Sequence, residues 1–220
     1  MVEIPIFPLP DVVFFPETLL PLHVFEPRYR RMVADCLAGD RRLAVVMLRP
    51  GWEQDYHGRP PVYSVAGLGE IIHAEVLTDG RYNILLDGRV RVRLEDELTR
   101  ELPYRVVRAR VLTDGLPPEG LPALRERLAT LRGVHGKLLE VMGQGHADVV
   151  GRLTVAGAGP GATIDRIVSA VVPDAAVRQR VLETLNVSER LDLATAALLE
   201  LLALVAGAQG DDGAEEEGEG

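Results

Sequence analysis

Apolar positions recur with a period of two through the first half of the chain, and with a helical period through the second. The opening, Ile4 to Leu48, reads IPIFPLPDVVFFPETLLPLHVFEPRYRRMVADCLAGDRRLAVVML. Its short apolar runs are divided by Pro5, Pro8, Pro10, Pro16 and Pro21. Proline brings no N–H to a ladder, so the runs predict strands with prolines at ends, edges and corners. Phe25-Glu26-Pro27 then predicts a helix start, with Glu26 favouring the positive end and Pro27 suited to the first helical position. Tyr29, Met32, Val33, Cys36 and Leu37 share one face of that helix, and Gly39 is placed to end it. Leu43 to Leu48 reads as a buried strand.

From Val62 to Leu112 the pattern stays β. Val65 to Leu77 is long for one strand, and Gly67 and Gly69 mark a bend or bulge in it. Thr78-Asp79-Gly80 predicts a tight hairpin back into Arg81–Leu86, and Asp87-Gly88 a second turn into Arg89–Leu94. Short strands joined in this way predict a closed or half-closed barrel. After the turn-rich Gly115–Gly120 the period becomes helical, and Leu124, Leu128, Leu131, His135, Leu138 and Met142 trace one stripe. Thr163 and Asp174 are candidate caps for two further helices, and Ser188 opens a last one carrying Leu191, Ala194, Leu198, Leu201 and Val205 inward.

Three stretches carry a family resemblance. PLPDVVFFPETLLPLHVFEPRYRRMV, with its Leu-Pro-Leu and Phe-Glu-Pro-Arg-Tyr, resembles the opening of the Lon substrate-binding domain, the N-terminal domain of ATP-dependent Lon proteases. GEIIHAEVLTDGRYNILLDGRVRVRLEDEL is similar to the same family's paired strands, and VLETLNVSERLDLATAALLELL to its final helices. The resemblance spans roughly Ile4 to Leu204. It implies an α+β fold: a PUA-like β pseudo-barrel with one docked helix over residues 1–115, then a helical bundle over 116–206. It also implies a stand-alone, non-catalytic domain that holds exposed or unfolded polypeptide segments, an adaptor in protein quality control with a Lon-type ATPase as candidate partner.

Composition narrows the picture. Of 220 residues 47% are hydrophobic but only 5% aromatic, so the core is aliphatic. One cysteine excludes an internal disulfide, and neither a secretory leader nor a membrane-length apolar run is present, so a cytoplasmic location is expected. The net charge of −9 owes most to six carboxylates in Gly210–Gly220, and residues 207–220 read as a disordered acidic tail. The single lysine and the arginines are interspersed with acids, which disfavours a nucleic-acid surface.

Catalytic signatures are missing from the sequence. No G-x-x-x-x-G-K-[ST] loop occurs, and Lys137 has no serine near it. Gly157-Ala-Gly-Pro-Gly-Ala162 fits a loose dinucleotide pattern, but Pro160 removes an N–H that such a loop needs, and an interhelical linker is the better reading. The five histidines and Cys36 show no metal-ligand spacing. No catalytic residue, metal site or cofactor is expected. The candidate polypeptide-binding residues are Phe14, Phe15, Leu19 and Leu20, part of which alternation should turn outward, and Trp52 and Tyr56 in the Arg49–Pro61 loop. Two other classes stay open: RNA binding through the barrel, and a hydrolase assembled from scattered residues.

Overall fold

A computed structural model of the chain describes residues 1–56, 58–115, 120–142 and 159–215. The chain forms two compact units, one of Met1–Thr113 with Arg178–Glu183, the other of Asp114–Val177 with the residues from Thr184 on.

The first unit holds β1 (Val2–Leu9), β2 (Leu19–Val24), helix α1 (Pro27–Ala38), β3 (Arg42–Met47), β4 (Val65–Val76), β5 (Tyr82–Leu98) and β6 (Val106–Leu112). The strand order is β2-β5-β4-β3-β1-β6, and β6 also pairs with β5. Five strands therefore close on themselves, which is the expected pseudo-barrel, while β2 lies outside along Tyr82–Asp87 of β5. β1 changes partner midway: Val2–Pro5 run antiparallel to β6, and Ile6–Leu9 run parallel to β3. A strand with one ladder partner at a time tolerates Pro5 and Pro8. Alternation sends Leu43 and Val45 into a cluster with Tyr29, Met32, Val33 and Cys36 of α1. Ala44 and Val46 join Ile4, Ile6, Ala66 and Val92 in a second cluster.

Asp87-Gly88 is not a turn. β5 runs unbroken through it, because the glycine answers a packing demand. The Asp11–Thr18 segment between β1 and β2 lies against the strands. A Cβ on Gly88 would stand 2.0 Å from the Phe15 carbonyl oxygen, and one on Gly67 2.0 Å from that of Phe14. On Gly69 it would meet the Phe14 ring at 2.5 Å. The Glu17 N–H donates to Gly88 O at 2.8 Å, and the Gly88 N–H donates to Thr18 O at 2.9 Å. The bulge expected near Gly67 and Gly69 is present between Leu68 and Gly69, and Gly80 takes φ +78° in the expected hairpin turn. Residues 178–183 complete this unit: Arg91 Nε donates to Leu182 O at 2.9 Å and Gln179 Nε2 to Val65 O at 3.0 Å.

The second unit is helical, with α2 (Gly120–Met142), α3 (Pro160–Val171) and α5 (Val187–Glu215); α4 (Ala175–Glu183) is divided between the units. The stripe Leu124, Leu128, Leu131, His135 and Leu138 is buried as expected, together with Ile164, Ile167, Leu191, Ala194 and Leu198. α2 passes through Gly133 and Gly136, where packing outweighs about 1 kcal/mol of lost helix propensity at each. Asp174 caps α4, its Oδ1 accepting from the Ala176 N–H at 2.7 Å. Two expected caps shift. α3 begins at Pro160, leaving Thr163 inside the helix, and α5 is capped by Asn186, whose Oδ1 accepts from the Ser188 N–H at 2.9 Å. α5 continues as helix through residues 207–215, with no proline to stop it; residues 216–220 lie outside those described.

A buried arginine links the pieces of this unit. Arg190 is fully buried, and its Nη1 donates to Asp114 Oδ2 at 3.1 Å and to Asp165 Oδ1 at 3.4 Å. A Cβ on Gly161 would stand 2.4 Å from Asp114 Oδ2, so that glycine, like Gly88, makes room. Gly157 of the same motif is outside the described residues.

Two losses of stability are expected in urea denaturation. Gly88→Ala costs about 2–3 kcal/mol by forcing the Phe15 segment off the strand. Arg190→Met costs about 3–5 kcal/mol by leaving Asp165 buried without its cation.

Candidate functional site: an apolar sheet edge and a cleft at the start of the first helix

Among the described residues β2 has one ladder neighbour, β5, and no strand pairs with its other edge. Its alternation is regular: Leu20, Leu22 and Val24 point toward the core, while Leu19, Pro21 and His23 point out, followed by exposed Phe25. Leu19 is 50% exposed and Phe25 58%. Across the sheet, Pro21 pairs with Leu85, and Leu85 with His73, where a bulge inserts Ile72, 46% exposed. An apolar row thus crosses three strands. Polar rows flank it on both sides. On one, Arg89 bridges Glu70 at 3.1 Å and Asp87 at 2.9 Å. On the other, His23 Nδ1 donates to Asn83 Oδ1 at 2.8 Å, and Asn83 Nδ2 donates to Glu75 Oε2 at 2.9 Å.

A second feature lies at the start of α1, a cleft of about 250 Å³. Glu26 is the residue before the helix, and Pro27 opens it as expected. The Glu26 carboxylate is turned to side chains rather than to the helix backbone. It accepts from Arg28 Nε at 3.1 Å and from the Tyr56 hydroxyl at 2.6 Å. Arg28 Nη2 donates to Tyr56 O at 3.2 Å, and the guanidinium lies 4.6 Å from the Tyr29 ring centre and 5.2 Å from that of Tyr56. Tyr56 in turn carries Trp52, ring centres 5.4 Å apart. At the opposite wall Arg105 forks onto Glu97, with Nη2 to Oε2 at 2.7 Å, and Arg59 reaches the same carboxylate at 2.8 Å. Tyr104 donates to Asp35 Oδ2 at 2.8 Å.

The six sequence candidates divide. Phe14 and Phe15 are 2% and 0% exposed and face the strands, so neither offers surface to a polypeptide. Their burial follows from the glycine slots beneath them. Leu20 packs on the core as well, whereas Leu19 is exposed on the sheet edge. Trp52 and Tyr56 are half-buried, Trp52 in a single 3₁₀ turn, Trp52–Asp55. Phe25 and Ile72 were not singled out. Continuing the odd parity of β2 past Val24 would have found Phe25, but Ile72 depends on a bulge. Arg59, Glu97, Tyr104 and Arg105 meet Arg28 only through the fold. Cys36 is buried as expected, its thiol donating to Arg42 O. Among the described residues no group of three potential ligands stands where a metal could be held, and no helix is long and apolar enough to cross a membrane. His57 and His146 lie outside the described residues.

The first unit is a closed β ring with one appended edge strand and one docked helix, and comparison with known proteins gives the family to which the chain belongs. The family model of the ATP-dependent protease La (LON) substrate-binding domain matches residues 3–200, and the chain belongs to that family. The "Lon protease 2" of Sorangium cellulosum is 30% identical over 201 residues, 88% of this chain and 24% of the relative. The "Lon protease" of Desulfosudis oleivorans is 24% identical over 208 residues, 91% of this chain and 24% of the relative. The chain therefore spans about a quarter of the length of the curated relatives it matches. Among solved structures, the N-terminal domain of Mycobacterium avium complex Lon protease aligns with a TM-score of 0.64 at 18% identity, covering 90% of this chain and 98% of that one. The Lon N-terminal domain protein from Xanthomonas campestris aligns at 0.59 and 22%, covering 89% and 98%. At those identities the likeness is one of fold.

Burial pushes Tyr29 and Tyr104 up to about 12, and the Cys36 thiol likewise to about 12. In an unfolded chain tyrosine ionises near ~10 and cysteine near ~8.5. Each folded-state value lies above its unfolded one, so the associated stability is complete below about pH 8.5 and is lost as pH rises toward 12. The melting temperature is expected to fall steadily over that window. Tyr29→Phe with Tyr104→Phe should flatten the fall above about pH 10; an unchanged curve would remove these tyrosines as its source.

Proposed function

We propose that this chain holds exposed apolar segments of other polypeptides along the open edge of β2. The observation that carries this reading is the apolar row of Pro21, Leu85 and Ile72, which ends at the edge strand, with Leu19 and Phe25 also exposed on the outward side of that segment. An extended segment laid there gains backbone hydrogen bonds from β2 and side-chain contact from the row. Exposed apolar patches of this kind mark partner sites. The edge is six residues long and Pro21 removes one of its donors, which restrains indefinite strand addition. Binding should accordingly be shallow, reversible and broadly selective. Membership in a substrate-binding family supports the same reading.

On this reading the chain contributes holding rather than cutting. Its sequence supplies no phosphate-cradling loop, and its one lysine, Lys137, is an exposed residue of α2. Ser188 is bound by Arg127, and Ser169 donates to Arg166 O at 3.0 Å, so neither is presented as a nucleophile. Force and proteolysis would be supplied by a Lon-type ATPase, to which this chain delivers clients as a non-catalytic adaptor.

The test is capture of a permanently unfolded chain, such as a reduced and carboxymethylated protein, by photo-crosslinking. Leu19→Asp with Ile72→Asp should cut capture at least about tenfold, the effect of losing roughly 1.4 kcal/mol of contact. Both residues are exposed, so the melting temperature should hold. Leu204→Asp, at an exposed position of the other unit, should leave capture intact. Equal capture by the double variant and the unaltered chain would remove the β2 face as the site.

A further inference from the structure

We propose that the cleft at the start of α1 receives the terminal carboxylate of a polypeptide. This site is separate from the β2 face, and it rests on the polypeptide-binding reading only for the source of the carboxylate.

Donors that line the cleft carry the inference. The Tyr29 side chain is 6% exposed and lines the cleft, yet its hydroxyl makes no hydrogen bond among the described residues. Burial raises its pKa to about 12, so the hydroxyl is protonated and able to donate at neutral pH. Arg28 lines the cleft as well, held by Glu26 and Tyr56 with its guanidinium 4.6 Å from the Tyr29 ring centre. A hydroxyl with no protein partner among the described residues and a guanidinium on the same wall match an acceptor that takes two donors, as a carboxylate does.

The lining favours an anion. Arg28, Arg59 and Arg105 line the cleft and no carboxylate is among its described lining residues, although Glu26, Glu97 and Asp55 each bond one or two of these arginines. A cationic ligand would compete with three fixed cations. The remaining wall is apolar, with Pro8, Leu48, Leu102 and Pro103. At about 250 Å³ the space falls below the ~300–1,000 Å³ typical of cofactor and drug-sized ligand pockets. One apolar residue with a free carboxylate fits such a space better than a nucleotide does.

Trp52 is the only tryptophan and packs at a tilt on Tyr56, which lines the cleft, so its emission reports occupancy. The probes are N-acetyl-leucine and N-acetyl-leucinamide, which differ only in the carboxylate. A saturable change with the acid, at least tenfold weaker with the amide, is expected. Tyr29→Phe keeps the ring against Phe7, 4.4 Å away, and removes only the hydroxyl. That variant should bind the acid about tenfold more weakly while its unfolding midpoint near neutral pH is unchanged. A leucine-terminated hexapeptide should displace N-acetyl-leucine when its end is free and not when it is amidated. Equal response to acid and amide, or undiminished binding by Tyr29→Phe, would overturn the site. Failure of the free-ended hexapeptide to compete would overturn its assignment to a polypeptide end. Leu19→Asp with Ile72→Asp should keep N-acetyl-leucine binding, which separates a failure here from a failure at the β2 face.

Discussion

Contact between backbone and backbone, with no side chain between, is what the first unit depends on. The carbonyls of Phe14 and Phe15 press onto Gly67 and Gly88 so closely that a methyl group would stand at 2.0 Å in either place. This contact fixes how the chain leaves β1 and where β2 begins. Thr18 follows immediately, its hydroxyl donating to Phe15 O at 2.8 Å, and β2 starts at Leu19 already in register with Asp87. Register then decides everything on the outer face, since a slip of one residue exchanges buried and exposed sets. Leu19, Pro21, His23 and Phe25 face outward because two glycines several strands' length away have no side chains.

Much of this was legible in the residues. Proline spacing, the Glu26-Pro27 helix start and the buried face of α1 all follow from local chemistry, and so do the Asp79-Gly80 hairpin and the stripe of α2. Asp87-Gly88 was misleading for a physical reason. A glycine after aspartate satisfies a tight turn, but it also satisfies a strand that another backbone must approach, and sequence alone does not separate the two. The same ambiguity lay in Gly159-Pro-Gly161, where the demand came from the Arg190 and Asp114 pair rather than from a phosphate. Phe14 and Phe15 drew attention as adjacent apolar residues. Their burial depended on glycines more than fifty positions away.

The two candidate surfaces differ in how they arise. The β2 face is a product of period-two alternation, so half of its members could be read from parity. The cleft gathers Arg28 and Tyr29, Tyr56 and Arg59, and Tyr104 and Arg105 from three separate segments. Its polar geometry is inherited from bonds that serve the fold: Glu26 ties the Tyr56 loop to the helix start, and Glu97 ties Arg59 to Arg105. The Tyr29 hydroxyl is the group those bonds do not use, and it stands beside the Arg28 guanidinium that they fix in place.

This division of labour also explains the choice of cation. Apart from Lys137, every basic residue that is permanently charged is an arginine. A planar fork binds two acceptors at fixed angles, whereas an ammonium is a point charge. Arg105 holds Glu97 and Pro60 O together, Arg190 holds Asp114, Asp165 and Thr184 O, and Arg91 reaches Leu182 O from inside the fold. On the surface the same residue makes pairs such as Arg110 with Glu95 and Arg31 with Asp35, each contributing about 0–1 kcal/mol. Such pairs add little stability, but they neutralise the cations that a phosphate backbone would require. Acids outnumber bases, 33 to 24, so the surface cations are matched by carboxylates, and against that ground a short apolar row and a small arginine-lined cleft stand out as places to bind.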